Sequence, residues 1–227
     1  MIIVATGGVG EDELLSGRLA CECGGCLAPW GYARRRMVRG VADLVRPRRG
    51  RCGSCSATHV LLPASCLARR ADGVDVIGQA LVMAAQGAGA RPIALFLDRP
   101  METVRGWLRA ARVNAGRLVG LFTGLVVELD SLAPVILPGV ASVIGGVVDA
   151  LGRLVAAFQR RVAGGRPGLT VAVWRMASMV TGGLLLSGRL WGGGPTRTSP
   201  DGDGGDLSGS RAGAHDARHR GRQGKSP

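Results

Sequence analysis

CECGGC at residues 21–26 and RCGSC at residues 51–55 decide how this chain is read. A CxxC turn brings two thiols to one ion, and two such turns supply the four soft ligands that zinc takes at tetrahedral corners. Cys23 with Cys26 makes one pair and Cys52 with Cys55 the other. Cys21 stands just ahead of Cys23, so three thiols compete for the two places of the first half-site, and Cys21 with Cys23 is an alternative pair. A zinc knuckle carries Gly after its second cysteine; here Gly24 follows Cys23, whereas Leu27 follows Cys26. Four thiolates leave no open position for water, so the expected Zn2+ is structural rather than hydrolytic. Cys66 reads as a small buried hydrophobe, and His59, within THVLLP, as a satisfied core residue. Thiol redox catalysis is the competing chemistry of CxxC. It needs a thioredoxin-like βαβ setting that the pattern lacks.

The surroundings of these cysteines are cationic. The 227 residues carry 29 Lys plus Arg against 16 Asp plus Glu, a formal charge of +13. Residues 27–70 hold ten Arg and one acid, Asp43, which places +9 of formal charge in that stretch. Arginine stays charged and forks onto phosphate at two points, so the concentration favours a polyanionic partner, nucleic acid before membrane. Arg34, Arg35, Arg36, Arg46, Arg48, Arg49 and Arg51 are the expected phosphate contacts, which give affinity without sequence information. The N-terminal MIIVATGGVGEDELLSGRL has no cationic start and too short an apolar run for a signal peptide, so the expected location is the cytoplasm, at the nucleoid. Thiols are kept reduced there, which favours metal over disulfides.

Composition divides the chain into an N-terminal segment (1–20), a zinc-ribbon-like basic module (21–70), a helix-turn-helix (71–112), an apolar helical region (113–191) and a tail (192–227). The tail has almost no large apolar side chain to offset its ordering entropy and is expected to be disordered. Within the cysteine module, RMVRGVADLVRPRRGR (36–51) suits a two-stranded hairpin. SLAPVILPGVASVIGGVV (131–148) is uncharged and about long enough to span a bilayer, but its prolines and glycines and the lack of an aromatic belt favour short soluble helices. A membrane partner is therefore not expected. Residues 113–191 are instead a candidate surface for a homodimer.

In ADGVDVIGQALVMAAQGAG, Val76, Ile77, Ala80, Leu81 and Ala84 recur at helical spacing, with Asp72 or Asp75 as the cap and an end at Gly87 to Gly89. RPIALFLDRPMETVRGWLRAAR (91–112) then reads as a helix-turn-helix. Ala94 is the small contact where the helices cross, Ile93 and Leu97 lie on the buried face, and Val104, Trp107 and Leu108 form the facing stripe. The turn position is Asp98, one of the few non-glycine types that visit the left-handed region, and Pro100 falls in the first turn of the second helix. Met101, Glu102, Arg105, Arg109 and Arg112 are left outward, as a reader of the major groove requires. An amphipathic helical hairpin with a solvated Arg face is the alternative.

At these residues the sequence resembles a family of proteins from high-GC bacteria, itself without an assigned function, in which a zinc ribbon precedes a helix-turn-helix similar to the DNA-binding part of insertion-sequence transposases. The resemblance is carried by CGGCLAPWGYARRR (23–36), RRGRCGSCSATHVLLPASCLARRAD (48–72) and RPIALFLDRPMETVRGWLRAAR (91–112). It implies binding of double-stranded DNA. In that family the first pair is a CxxC before GG, whereas ACEC stands there in this chain, which leaves Cys26 as a replacement ligand. Nuclease chemistry is not implied. Between residue 112 and the tail only Glu128, Asp130 and Asp149 could hold metal ions for such a reaction. The expectation is a non-enzymatic DNA-binding protein, mainly α with a small β zinc ribbon. A protein-interaction or membrane-associated module built on the ribbon is the alternative.

Overall fold

The computed structural model describes residues 2–5, 9–130, 142–163 and 172–188. The tail from 192, expected to be disordered, and the first part of the membrane candidate 131–148 lie outside these residues. The described residues form six helices and four strands, a mixed architecture in which a small sheet is followed by helices.

Strands β2 (Leu27–Tyr32), β3 (Arg48–Cys52) and β4 (Thr58–Pro63) make an antiparallel ribbon, and β1 (Ile2–Ala5) joins β4 in parallel, giving the order β1-β4-β3-β2. The expected hairpin within 36–51 is therefore corrected. The strand that meets Arg48–Cys52 starts earlier, at Leu27, in the register Leu27↔Cys52 and Ala28↔Arg51. Residues 36 and 45 form only an isolated bridge inside the long connection. Burial explains the choice: Leu27 and Leu61 alternate inward and close with Leu14 of helix α1 (Val9–Leu15) over one sheet face. On the connection, Val38 and Val45 pack with Leu62 and Cys66 in a second small cluster.

The helices share one core. Helix α2 (Val74–Ala85) buries Val74, Ile77, Ala80 and Leu81, and α3 (Ala90–Leu97) buries Ile93 and Ala94. Asp98 follows at φ 50, ψ 56, the left-handed geometry that lets a three-residue turn feed α4 (Met101–Leu129). Helix α4 does not stop near Arg112. Its apolar stripe, Val104, Trp107, Leu108 and Ala111, continues in phase through Ala115, Leu118, Phe122 and Val126, and no proline interrupts it before Asp130. That stripe packs on α5 (Val143–Ala163), whose Val147, Leu151 and Leu154 are fully buried. Among the described residues α4 is the one helix long and apolar enough to cross a membrane by length and composition.

Two expectations about helix ends are corrected. Neither Asp72 nor Asp75 caps α2: Gly73 is the cap residue, without a side-chain bond, and Asp72 turns instead to Arg99. Pro100 occupies the cap of α4 rather than its first turn. Helix α6 (Val173–Val180) ties the bundle to the ribbon's exit, with Ser178 Oγ donating to the Cys66 carbonyl at 2.9 Å and the Ala68 N–H to the Gly183 carbonyl at 2.9 Å.

Candidate metal centre and nucleic-acid interface

The four cysteines that converge are Cys21, Cys23, Cys52 and Cys55, with all sulfurs within 4.8 Å of one another. Cys26 is not among them; its place in the CxxC pair is taken by Cys21. The local backbone gives the reason. The Cys21 N–H bonds to the Gly25 carbonyl at 2.7 Å and the Gly24 N–H to the Cys21 carbonyl at 2.9 Å, closing a turn that aims Cys21 and Cys23 at the same point. Residue 26 stands just ahead of β2 in an isolated bridge to Ala20, and since Leu27 points into the core, its neighbour Cys26 faces outward and is exposed. Both glycines are needed. Gly24 has φ +84, and a Cβ on Gly25 would meet the Cys52 sulfur at 2.8 Å.

The sulfur geometry fits an ion. A tetrahedral Zn–S bond of about 2.3 Å puts sulfurs roughly 3.8 Å apart. Cys23 and Cys52 are separated by 3.4 Å and Cys21 and Cys55 by 3.6 Å. The second turn also prepares a thiolate: the N–H groups of Ser54 and Cys55 point at Cys52 Sγ from 3.4 and 3.5 Å. The Cys55 N–H, with that of Ser54 and the neighbouring thiols, outweighs burial and brings the Cys52 thiol down to about 6. Cys55 moves the other way. An N–H from Ala57 favours its thiolate, but the thiols of Cys23, Cys21 and Cys52 compete for the same protons and push it up to about 12. Cys21 is also raised, because burial and the crowding of thiols outweigh the N–H of Cys23. A cluster that cannot hold all its charges alone suits a divalent cation.

His59 is buried, as expected of a core residue, and is not among the four clustered ligands, but it borders the site and is not satisfied there. Its Nε2 lies 3.3 Å from Cys21 Sγ, its Nδ1 is buried without a hydrogen-bond partner, and burial holds the imidazole below its usual range. When Cys21 is a thiolate, Nε2 must carry the proton and donate it. The pairing of β3 with β4 sets His59 opposite Gly50, a relation that residue spacing alone does not show. Cys66 is a buried hydrophobe as expected, and burial raises its thiol.

Of the expected phosphate contacts, Arg51 adjoins Cys52, whereas Arg48 pairs with Tyr32 at the other end of the β2–β3 ladder, from which Arg34, Arg35, Arg36 and Arg46 continue. Arg34, Arg35 and Arg46 are exposed, while Arg36, Arg48, Arg49 and Arg51 are partly buried. Arg46 and Arg48 each lie 4.4 Å from the centre of the Tyr32 ring, Arg51 lies 4.7 Å from that of Trp30, and Arg48 also meets Glu11 at 3.2 Å. Met101, Glu102, Arg105, Arg109 and Arg112 are all exposed on α4, with Arg105 paired to Glu102 at 2.6 Å. Sequence reasoning missed the aromatic partners Trp30 and Tyr32 and the pairing of Asp72 with Arg99.

Comparison of the chain with models of protein families, with curated proteins and with solved structures finds no match. The likeness to the DNA-binding part of transposases therefore gains no support from known proteins, and the case for function rests on the site itself.

Proposed function

We propose that this chain is a non-enzymatic DNA-binding protein whose basic ribbon is ordered by a structural zinc ion. The observation that carries the reading is the placement of seven arginines, 34 to 36, 46, 48, 49 and 51, on β3 and the connection that leads into it, in a ribbon whose other end holds a four-thiol cluster. Zinc held by Cys21, Cys23, Cys52 and Cys55 would join the start of β2 to the end of β3, so the guanidinium groups would be offered to phosphates from a fixed backbone. In comparable small modules metal binding is worth roughly 10 to 16 kcal/mol of apparent free energy, enough to decide whether such a ribbon is folded. Helices α3 and α4, with left-handed Asp98 between them, support a helix-turn-helix in which the first turns of α4 enter the major groove. Arg105 and Arg109, one turn apart, are the candidates for base edges. A dimer through the apolar helices would place two such units on one duplex.

The test is a salt titration of duplex binding. Log K should fall with log salt by about 0.9 for each phosphate engaged. Replacing Arg34 and Arg35 by Ala should lower that slope by about 2 and weaken all sequences alike, whereas Arg105→Ala should cost roughly 1 to 3 kcal/mol at a preferred site. Binding that is insensitive to salt, or no binding to duplex at low salt, contradicts the proposal. The length and apolar composition of α4 favour a second reading, a membrane-associated module. Pelleting with membranes on cell fractionation would support it, and release by nuclease would support DNA.

A further inference from the structure

Trp30 is 52% exposed, while Trp107, on α4, is 2% exposed. It sits on β2, the open edge of the sheet, where every residue after Leu27 is exposed. Leaving an indole half in water forgoes one of the largest burial gains a side chain can make. A single exposed apolar residue is ordinary, so the weight falls on how this one is held. The strand also aims it. Ala28 is directly opposite Arg51, and Trp30, two residues on, shares that face, which brings the Arg51 guanidinium to 4.7 Å from the ring centre. One face of the indole is thus backed by a planar cation. The register then shifts by one residue at Gly31, φ +80, so Tyr32 falls opposite Arg48 and turns to the other face of the strand. Trp30 is therefore separated from Tyr32, with Arg51 behind one ring face and half of the side chain left exposed for one more flat group.

We propose that Trp30, backed by Arg51, is a stacking platform for an unpaired base, so that the partner includes single-stranded nucleic acid and not only duplex. The inference rests on the nucleic-acid reading given above. A base within a duplex has both faces stacked and cannot lie on the indole; an unpaired base can, and such stacking tolerates any sequence because every base has a π-face. The charge around the ring selects a polyanion. Arg34 and Arg35 are exposed and follow Trp30 by four and five residues, a reach of at most about 17 Å along the chain, which suits the phosphates that flank one stacked base. An acidic peptide would answer the charge but has no flat face to offer the indole.

The test uses the full zinc-loaded chain and two fluorescent probes, a short oligothymidylate and a blunt duplex of equal length, with polyglutamate as competitor. Trp30→Ala should weaken oligothymidylate roughly 5- to 100-fold and leave the duplex within about 2-fold. Trp30→Phe should keep most of the single-strand affinity, and Arg34→Ala with Arg35→Ala should weaken both probes. Oligothymidylate affinity that is unchanged in Trp30→Ala while the arginine variant loses both probes overturns the stacking platform and leaves the DNA reading intact. Equal losses on both probes in Trp30→Ala assign the indole a general role and overturn it too. So does polyglutamate that displaces oligothymidylate from wild type but not from Trp30→Ala. Wild type that binds neither probe overturns the underlying reading and the inference together.

Discussion

Removing Arg99 should destabilise the fold far more than removing Arg39, although both approach the same carboxylate. The Asp72 side chain is only 5% exposed, and Arg99 Nε reaches its Oδ1 at 2.6 Å from a side chain that is itself 15% exposed. Arg39 comes no closer than 4.0 Å and is 58% exposed. An Arg99→Ala variant leaves a buried carboxylate whose remaining cation is distant and solvated, a situation that costs about 3 to 5 kcal/mol. Arg39→Ala removes an exposed contact worth less than about 1 kcal/mol. The same logic fixes the double variant: with Asp72→Ala and Arg99→Ala together no charge is left uncompensated, so the loss should be smaller than for Arg99→Ala alone. The contact joins two parts of the fold, since Asp72 follows the ribbon module, its backbone bridged to Arg39, while Arg99 lies in the turn between α3 and α4. Urea unfolding of the zinc-loaded protein, followed by tryptophan fluorescence, gives the free energies of Arg99→Ala, Arg39→Ala, Asp72→Ala and the double variant. An Arg99→Ala loss below about 1 kcal/mol, or a double variant as costly as Asp72→Ala and Arg99→Ala added, refutes the reasoning.

Gly78→Ala should destabilise by about 1 to 2 kcal/mol, because a Cβ there would overlap the Trp174 ring and the overpacking outweighs the helix propensity gained, whereas Gly116→Ala, in open space on α4, should stabilise by up to about 1 kcal/mol. Thermal melts of the two variants should move in opposite directions. Apparent zinc affinity should climb steadily from pH 6 to pH 8, since Cys52 already ionises at about 6 while Cys55, pushed up to about 12, must still surrender its proton to the metal; competition with a chromogenic chelator would detect a flat profile, the contrary result. In the zinc-loaded protein iodoacetamide should modify Cys26, which is exposed and outside the cluster, and spare Cys66, which is fully buried with its thiol raised, until the chain unfolds. Mass spectrometry that finds Cys66 labelled first would contradict the packing.

Features with a local cause were legible in the sequence. The second cysteine turn, the apolar stripes of α2 and the start of α4, and the left-handed Asp98 all follow from residue type and spacing within a few positions. What failed mostly depended on contacts far along the chain. The glycine after Cys23 already offered Cys21 with Cys23 as an alternative pair; the turn at Cys21–Gly25 and the burial of Leu27 against Leu14 and Leu61 decide for it over Cys26. The hairpin within 36–51 gave way to a strand at 27–32 for the same reason. His59 lies 38 positions from Cys21 and meets it only through the pairing of β3 with β4. Asp72 had the chemistry of a helix cap, but an arginine 27 residues later offered a stronger partner in a buried place. Helix α4 outran its expected end: its stripe runs on in phase past Arg112, a legible signal, and α5 supplies the surface on which it packs.

Metal content per chain of the purified protein, measured for wild type, Cys21→Ser and Cys26→Ser under reducing conditions, bears most directly on the ordered ribbon. The cluster of Cys21, Cys23, Cys52 and Cys55 predicts one zinc per chain in wild type and in Cys26→Ser, and loss of the metal in Cys21→Ser. Zinc retained by Cys21→Ser and lost by Cys26→Ser would contradict it, as would wild-type protein that folds fully without metal.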